Sequence, residues 1–486
     1  MIAWGTPRAR AVLATTILGS GMAMLDGTIV NVALPRIGAE FTASVTDLQW
    51  ILNGYMLALA SLILVAGSLG DRFGRRRVYV IGVVWFGVAS LLCGVAWDVP
   101  VLVAARVLQG VGAALLTPGA LAILQSSFNR EDRSRAIGAW SGLSGVATAI
   151  GPFVGGLLVQ AWSWRLAFLV NLPVAALCVW LALRSVPESR DEQAGHPNYL
   201  SALVGAVGLA LLTGGLVEQS YLVAALGLAA MIAFGVVQVR SADPLVPPSL
   251  FRDRTFLVAN LLTFLVYAAL GGVMVLLVLQ LQVSLGYSPT ASGLASVPLT
   301  IIMLLLSSTS GKIAQRYGPR WQLVLGPIVI GLGMLLLRQA EPGATYLTGV
   351  LPGVIVFALG LAAVVAPVTA TVLASAPDHH AGVASGVNNA VARTGSLLAM
   401  AVLPAAVGLI GDDYTNPEVM TSGWQMALVL CAVAAIAGGL LAVGVDNRVL
   451  ATDHEQPDNP HPGECLHCGV EGPPTHIRSG GQHASQ

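Results

Sequence analysis

Fourteen apolar stretches of about 20 residues fill this chain up to residue 445. A helix rising ~1.5 Å per residue needs ~20 such residues to cross a hydrocarbon core of ~30 Å. The windows are 11–33, 48–68, 78–97, 100–127, 136–159, 166–184, 199–217, 221–239, 256–283, 290–311, 321–339, 344–372, 382–411 and 424–445. They predict an all-α integral membrane protein with 14 transmembrane helices. Charged residues make up 10% of the chain and apolar ones 55%, whereas a soluble domain carries roughly 25% charged residues. A net charge of zero gives nucleic acid nothing to bind. No small-residue cleavage pattern precedes Asp26, so the first stretch reads as a retained helix and not as a signal peptide.

Basic residues set the orientation. Alternate loops carry Arg8 and Arg10; Arg72, Arg75, Arg76 and Arg77; Arg130, Arg133 and Arg135; Arg184 and Arg190; Arg240, Arg252 and Arg254; Lys312, Arg316 and Arg320; and Arg448. The loops between them hold only Arg36, Arg165 and Arg338. Such an excess marks the cytoplasmic side, so both termini are expected inside and the protein in the cell membrane. Trp50, Trp97, Trp162, Trp164 and Trp424 fall at outer helix ends, where an interfacial aromatic belt is expected.

An internal repeat organises the chain. Gly67, Arg72, Gly74 and Arg76 follow the second stretch, and Gly311, Arg316, Gly318 and Arg320 follow the tenth at the same spacing, with Phe73 matching Tyr317. Two six-helix halves would place these segments after helices 2 and 8, so two extra helices lie between the halves. The expected division is 1–186 for the first bundle and 187–250 for the two additional helices and their linkers. The second bundle takes 251–445, and a disordered cytoplasmic tail takes 446–486. Parallel halves around a central site suit alternating access by rocking of one half on the other.

Asp26 lies inside the first stretch. A charged side chain in a membrane helix costs at least ~2.5–3.5 kcal/mol, which makes it a functional candidate by default. Asp26 is nine residues from Pro35, or ~13 Å along a helix. Arg106 is six residues from Pro100, or ~9 Å. The two are expected at similar depth, able to meet across helices 1 and 4. Burial favours the neutral form of a carboxylate and a guanidinium favours the ionised form. Such a pair can trade a proton as a cavity opens to each side, or it can be a static ion pair that locks the helices. All eight histidines lie outside the stretches, which excludes a histidine relay within the membrane.

The segment Gly67, Gly70, Asp71, Arg72, Gly74, Arg75 and Arg76 reads as a tight cytoplasmic turn whose glycines allow φ > 0. Asp71 is expected to face a helix N-terminus or the arginines of a neighbouring loop; the plainer alternative is that the arginines only set topology. Gly145, Gly151, Pro152, Gly155 and Gly156 put small residues on a face of helix 5, either as a flexible interface between the halves or as simple packing. Asn31, Tyr55, Gln109, Asn388 and Arg393 are candidates for the substrate cavity. Arg393 near mid-span must face water, pair internally or meet an anionic group. No other carboxylate sits near the centre of a stretch, which favours neutral, monovalent or anionic lipophiles over dications. In the tail, Cys465, His467 and Cys468 lack the second paired motif of a zinc site, so no metal is expected. Cys93, Cys178 and Cys431 read as packing thiols.

These residues carry a family resemblance. The Gly67–Arg77 segment resembles the loop signature of the major facilitator superfamily, and Leu102 to Gly112, with Arg106, Gln109 and Gly110, resembles its fourth-helix motif. Gly145 to Gly156 is similar to the fifth-helix motif of antiporters. Leu25 to Pro35, with Asp26, Thr28 and Asn31, resembles the first-helix motif of the 14-helix drug:proton antiporters, and Trp164 to Pro173, with Arg165, Phe168 and Asn171, fits the same subfamily. The resemblance spans about residues 11–445. It implies proton-coupled efflux of drugs, antibiotics or natural products, with Asp26 and Arg106 in proton coupling and the Asp71 segment in gating. The implied partners are a lipophilic small molecule, protons and the bilayer, for a monomer that is not an enzyme. No phosphate-cradling Gly-rich Lys-Ser/Thr loop occurs, so no ATP or other cofactor is expected. An uptake or facilitative carrier is the alternative, and a transporter-like sensor or membrane enzyme a remote one.

Overall fold

A computed structural model describes residues 2–190, 199–241, 244–377, 381–411 and 413–450. These residues form helices and their connections, with no strand among the described residues. The first bundle holds α1 (Pro7–Phe41), α2 (Val45–Phe73), α3 (Arg75–Gly94), α4 (Val99–Ser127), α5 (Arg130–Ala161) and α6 (Leu166–Ser185). A hairpin of α7 (Tyr199–Val217) and α8 (Tyr221–Arg240) follows. The second bundle holds α9 (Arg254–Ser284), α10 (Pro289–Tyr317), α11 (Arg320–Gln339), α12 (Tyr346–Ala374), α13 (Ala381–Ala406) and α14 (Pro417–Gly444).

Local signals start these helices. Thr6 caps α1 ahead of Pro7, and Ser44 and Asp47 form a capping box on α2. Asp98 and Ser288 accept from the first-turn amides of α4 and α10, each with a proline in the first turn. Such caps satisfy orphan N–H groups, and proline fits where no N–H bond is lost. Among the described residues twelve helices are long and apolar enough to cross a membrane, and of α5 the run Ile150–Ala161 is apolar but shorter.

The repeat is visible in the packing. In the first bundle α1 packs on α5 and α6, α4 on α2 and α3, and α3 on α6. In the second, α9 packs on α13 and α14, α12 on α10 and α11, and α11 on α14. The two copies of the sequence repeat also share one clamp. Arg76 Nη1 donates to the carbonyl of Val186 (3.2 Å), and Arg320 Nε donates to that of Val445 (2.8 Å). The Arg76 amide donates to Glu188 Oε1 (3.0 Å), the Arg320 amide to Asn447 Oδ1 (3.1 Å). The chain leaving each bundle thus caps that bundle's third helix.

Several expectations need correction. The turn between α2 and α3 is a single residue, Gly74 at φ +107°, and its counterpart Gly318 sits at φ +83°. Gly67 and Gly70 lie inside α2, where backbone hydrogen bonding extends the helix to Phe73. Residues 446–450 belong to the fold, because Asn447 caps α11; residues 451–486, with Cys465, His467 and Cys468, lie outside the described residues. Of the expected aromatic belt, Trp97 and Trp162 are exposed, but Trp164 and Trp424 are buried. The Trp164 indole donates to Glu40 and the Trp424 indole to the Leu337 carbonyl, partners that let both rings turn into the protein.

Hydrogen bonds join the bundles at the face opposite the termini. Gln49 donates to the carbonyls of Met400 and Ala401, Tyr414 to that of Ala43, and Gln282 to that of Val32. The Val45 amide donates to the Gly411 carbonyl and the Thr290 amide to Gln160. The α7–α8 hairpin lies along the junction: α7 packs on both α2 and α13, with Ala60, Leu209 and Leu397 in one apolar cluster. The Trp50 indole donates to Glu218 at the hairpin turn (2.7 Å).

Candidate functional site

Asp26 lies on α1 and Arg106 on α4, with 0% and 1% of their surfaces exposed. Arg106 Nη1 donates to Asp26 Oδ2 over 2.6 Å. Asp26 Oδ1 accepts from Gln109 Nε2 (2.8 Å) and Asn171 Nδ2 (3.0 Å). The guanidinium also donates to Gln109 Oε1 and, through Nε, to the Ile51 carbonyl (3.1 Å). Ser90 Oγ accepts from both amides. The Arg106 guanidinium carbon lies 4.3 Å from the centroid of the Tyr55 ring, in reach of a cation–π attraction.

Small residues on α4 make this geometry possible. Gly110 touches the Tyr55 backbone and Ala58 on α2, and Gly112 touches the Phe86 backbone on α3. Any side chain there would push α4 away from its neighbours, so Arg106 and Gln109 reach Asp26 because Gly110 and Gly112 are bare. A buried ion pair is tolerated only when its remaining hydrogen-bonding positions are filled. Here the carboxylate accepts on both oxygens. Both side chains are closed off from solvent.

The structure brings together part of the expected site and redistributes the rest. Gln109 and Tyr55, expected to line a cavity, are buried against the ion pair, because a buried pair is tolerated only when its remaining hydrogen-bonding positions and its cation face are filled. Asn388 donates to Asn260 and Thr263 inside the second bundle, so its amide is already satisfied. Asn31 and Arg393 are half-buried, and neither has a hydrogen bond or ion pair among the described residues. Asn171 and Ser90 were not singled out as partners of the acid. Their signal was a polar residue within an apolar stretch, which does not say which way the side chain points.

Asp71 pairs with Arg75 four residues on (2.9 Å), and among the described residues it meets no arginine of a neighbouring loop. The acid at the α3 N-terminus is Glu188, which receives the amides of Arg76 and Arg77 and faces the Arg76 guanidinium (3.6 Å). Carboxylates are favoured there by the helix dipole, and Glu188 reaches the position because the chain folds back after α6. The helix-5 residues divide between two neighbours. Gly151 and Gly155 meet Thr28 and Ile29 on α1, whereas Gly156 meets Pro289 and Thr290 and the Pro152 carbonyl meets Gly293 of the other bundle. The surroundings of Gly145 lie outside the described residues.

The protein is an all-helical membrane bundle, duplicated in its packing and holding an acid–base pair closed off from solvent. The sequence profile of the Major Facilitator Superfamily matches residues 16–400 and again 259–465, and the chain belongs to that family. It is therefore a transporter and not an enzyme. The chain is 34% identical over 457 residues to the puromycin resistance protein pur8 of Streptomyces alboniger, covering 89% of this chain and 90% of that one. It is 35% identical to the tetracenomycin C resistance and export protein of Streptomyces glaucescens, covering 83% and 77%. It is also 35% identical to the multidrug resistance protein Stp of Mycobacterium tuberculosis (strain CDC 1551 / Oshkosh), covering 80% and 74%. Among solved structures, an auto-inhibited POT family peptide transporter superposes with a TM-score of 0.68 at 15% identity, covering 90% and 97%. A bacterial homologue of the lysosomal transporter Spinster, inward-facing and unoccupied, gives 0.65 at 16%, covering 90% and 97%. At these identities the likeness speaks for the fold alone.

Proposed function

We propose that this protein exports lipophilic, antibiotic-type small molecules in exchange for protons, by rocking of one six-helix bundle on the other. The observation that carries the proposal is the Asp26–Arg106 pair, 2.6 Å apart and sealed. Protonation of the acid breaks the pairing and frees the guanidinium, a change large enough on a buried site to bias one bundle arrangement over another. The names of the three relatives given above, each a resistance or export protein, support the substrate class and the outward direction.

Around that centre, the bundles are residues 1–186 and 251–445, with 187–250 as the inserted hairpin. Fourteen helices span the membrane, α5 and α13 joining the twelve apolar ones. Both termini face the cytoplasm of a monomer in the cell membrane, by the basic residues of alternate loops. The hydrogen bonds of Gln49, Tyr414 and Gln282 then close the outer face, and the Asp71 and Glu188 contacts order the inner one. Pro152 and Gly156 give α5 the bare surface that lets it seat on α10.

The proposal is tested in proteoliposomes at fixed internal pH. Adding members of a panel of neutral, monovalent and anionic lipophiles should release protons through the protein. A panel that moves no protons, with transport continuing after the gradient is collapsed, contradicts it.

A further inference from the structure

Arg393, like Asn31 and Asn388, stands apart from the ion-pair site, and of these three it alone carries a charge. It lies midway along α13, half-buried, with no hydrogen bond or ion pair among the described residues. Its neighbours on α13 define where it points. Gly386 meets Leu64 of α2, Leu397 shares a cluster with Ala60 of α2, and Met400 and Ala401 accept from Gln49 of α2. Residues 386, 390, 393, 397 and 401 fall on one helical face, so Arg393 lies along the seam between the bundles.

A second orphan stands on the facing helix. Asn53 of α2 is fully buried, and neither its Oδ1 nor its Nδ2 has a partner. It is four residues from Gln49 and seven from Ala60, hence on the same α13-facing stripe. On α7, which covers the seam, the Thr213 hydroxyl is likewise buried without a partner. Thr213 adjoins Gly214, which touches the Trp50 ring one turn from Asn53. Nearly all buried polar groups in proteins find a partner, and here two buried groups without one, Asn53 and Thr213, stand beside a partly open guanidinium along one seam.

We propose that Arg393 and Asn53 form the recognition site for the acidic end of the substrate, a carboxylate or an ionised phenol or enol on a lipophilic ring system. Arg393, partly open, meets the anionic oxygen first. Asn53 and Thr213, covered while the outer face is closed, complete its hydrogen bonds as α2 and α13 part. A guanidinium suits two oxygens of one planar group, and the apolar walls of the seam suit the rings. The assignment rests on the export reading and adds the chemical class exported.

The test uses the full-length protein in proteoliposomes with three probes: a polycyclic aromatic carboxylic acid, its methyl ester and the matching primary amine. Wild type should export the acid in preference to the ester and the amine. Arg393→Gln should lose between about tenfold and a hundredfold of acid transport, the worth of a charge-assisted hydrogen bond, while ester transport stays as it was. Arg393→Lys should recover part of the loss, and Asn53→Leu should lower acid transport selectively. Equal loss for acid and ester in Arg393→Gln, or an unchanged acid-to-ester ratio, overturns the assignment and leaves the export reading standing if the ester still drives proton release. No proton release by wild type with any of the three probes defeats both.

Discussion

The Asp26 carboxylate and the Arg106 guanidinium meet at 2.6 Å in a space that excludes solvent from both. The contact joins the first helix to the fourth, and Gln109 and Asn171 complete the shell of the acid. A charge pair so enclosed is expensive to break. Removing one member of a buried pair costs ~3–5 kcal/mol, because the other is left uncompensated. Asp26→Ala should accordingly lower the melting temperature in detergent markedly, and Asp26→Asn less. The double variant Asp26→Asn with Arg106→Gln should regain part of that stability without regaining transport. Full stability in Asp26→Ala would contradict this, showing that Gln109 and the Ile51 carbonyl hold the Arg106 charge without the acid.

The amides around the acid separate a proton site from a plain ion pair. Gln109→Leu removes a donor to Asp26 and an acceptor for Arg106 and leaves Asn171 to hold Ser90, at ~1–3 kcal/mol for each unsatisfied buried group. Reduced thermal stability and reduced export are expected together. Export at the wild-type rate would place the amide outside the working site.

On α5, two adjacent glycines should fail differently. Gly155→Leu collides with Ile29 inside the bundle and should destabilise the protein. Gly156→Leu collides with Pro289 and Thr290 of the other bundle and should hold the outer face apart. Cysteines at Gln160 and Thr290, whose parent residues hydrogen bond in the closed face, report this. Their cross-linking should fall in Gly156→Leu and persist in a mild Gly138→Ala control, a site with open space around it.

At the inner face, Glu188→Ala removes the cap of α3 and the partner of Arg76. A lost cap costs ~0.5–2 kcal/mol, so a melting point lowered by a few degrees is expected. Gly74→Val should cost more, since φ +107° is strained for valine and Glu188 occupies the space. Equal stability of Gly74→Val and wild type would contradict the clamp.

Much of this was legible in the sequence. The length and apolarity of the stretches gave the helices, and the matched glycines and arginines after the second and tenth stretches gave the duplication. The depth of Asp26 and Arg106 could be counted from the nearby prolines. Side-chain direction could not be counted. Gln109 and Tyr55 read as cavity residues because helical periodicity does not say which neighbour a face meets. Glu188 was invisible as a cap because it lies 112 residues from the amide of Arg76. Trp164 and Trp424 turned inward because carboxylate and carbonyl partners awaited them, and those partners come from distant parts of the chain.

The account stands most directly on proton release from proteoliposomes on adding a transported lipophile, measured for wild type and for Asp26→Asn incorporated to equal density. Wild type should release protons in proportion to the substrate moved, and Asp26→Asn should release none while remaining inserted and folded. Proton release of the same size from Asp26→Asn would contradict it.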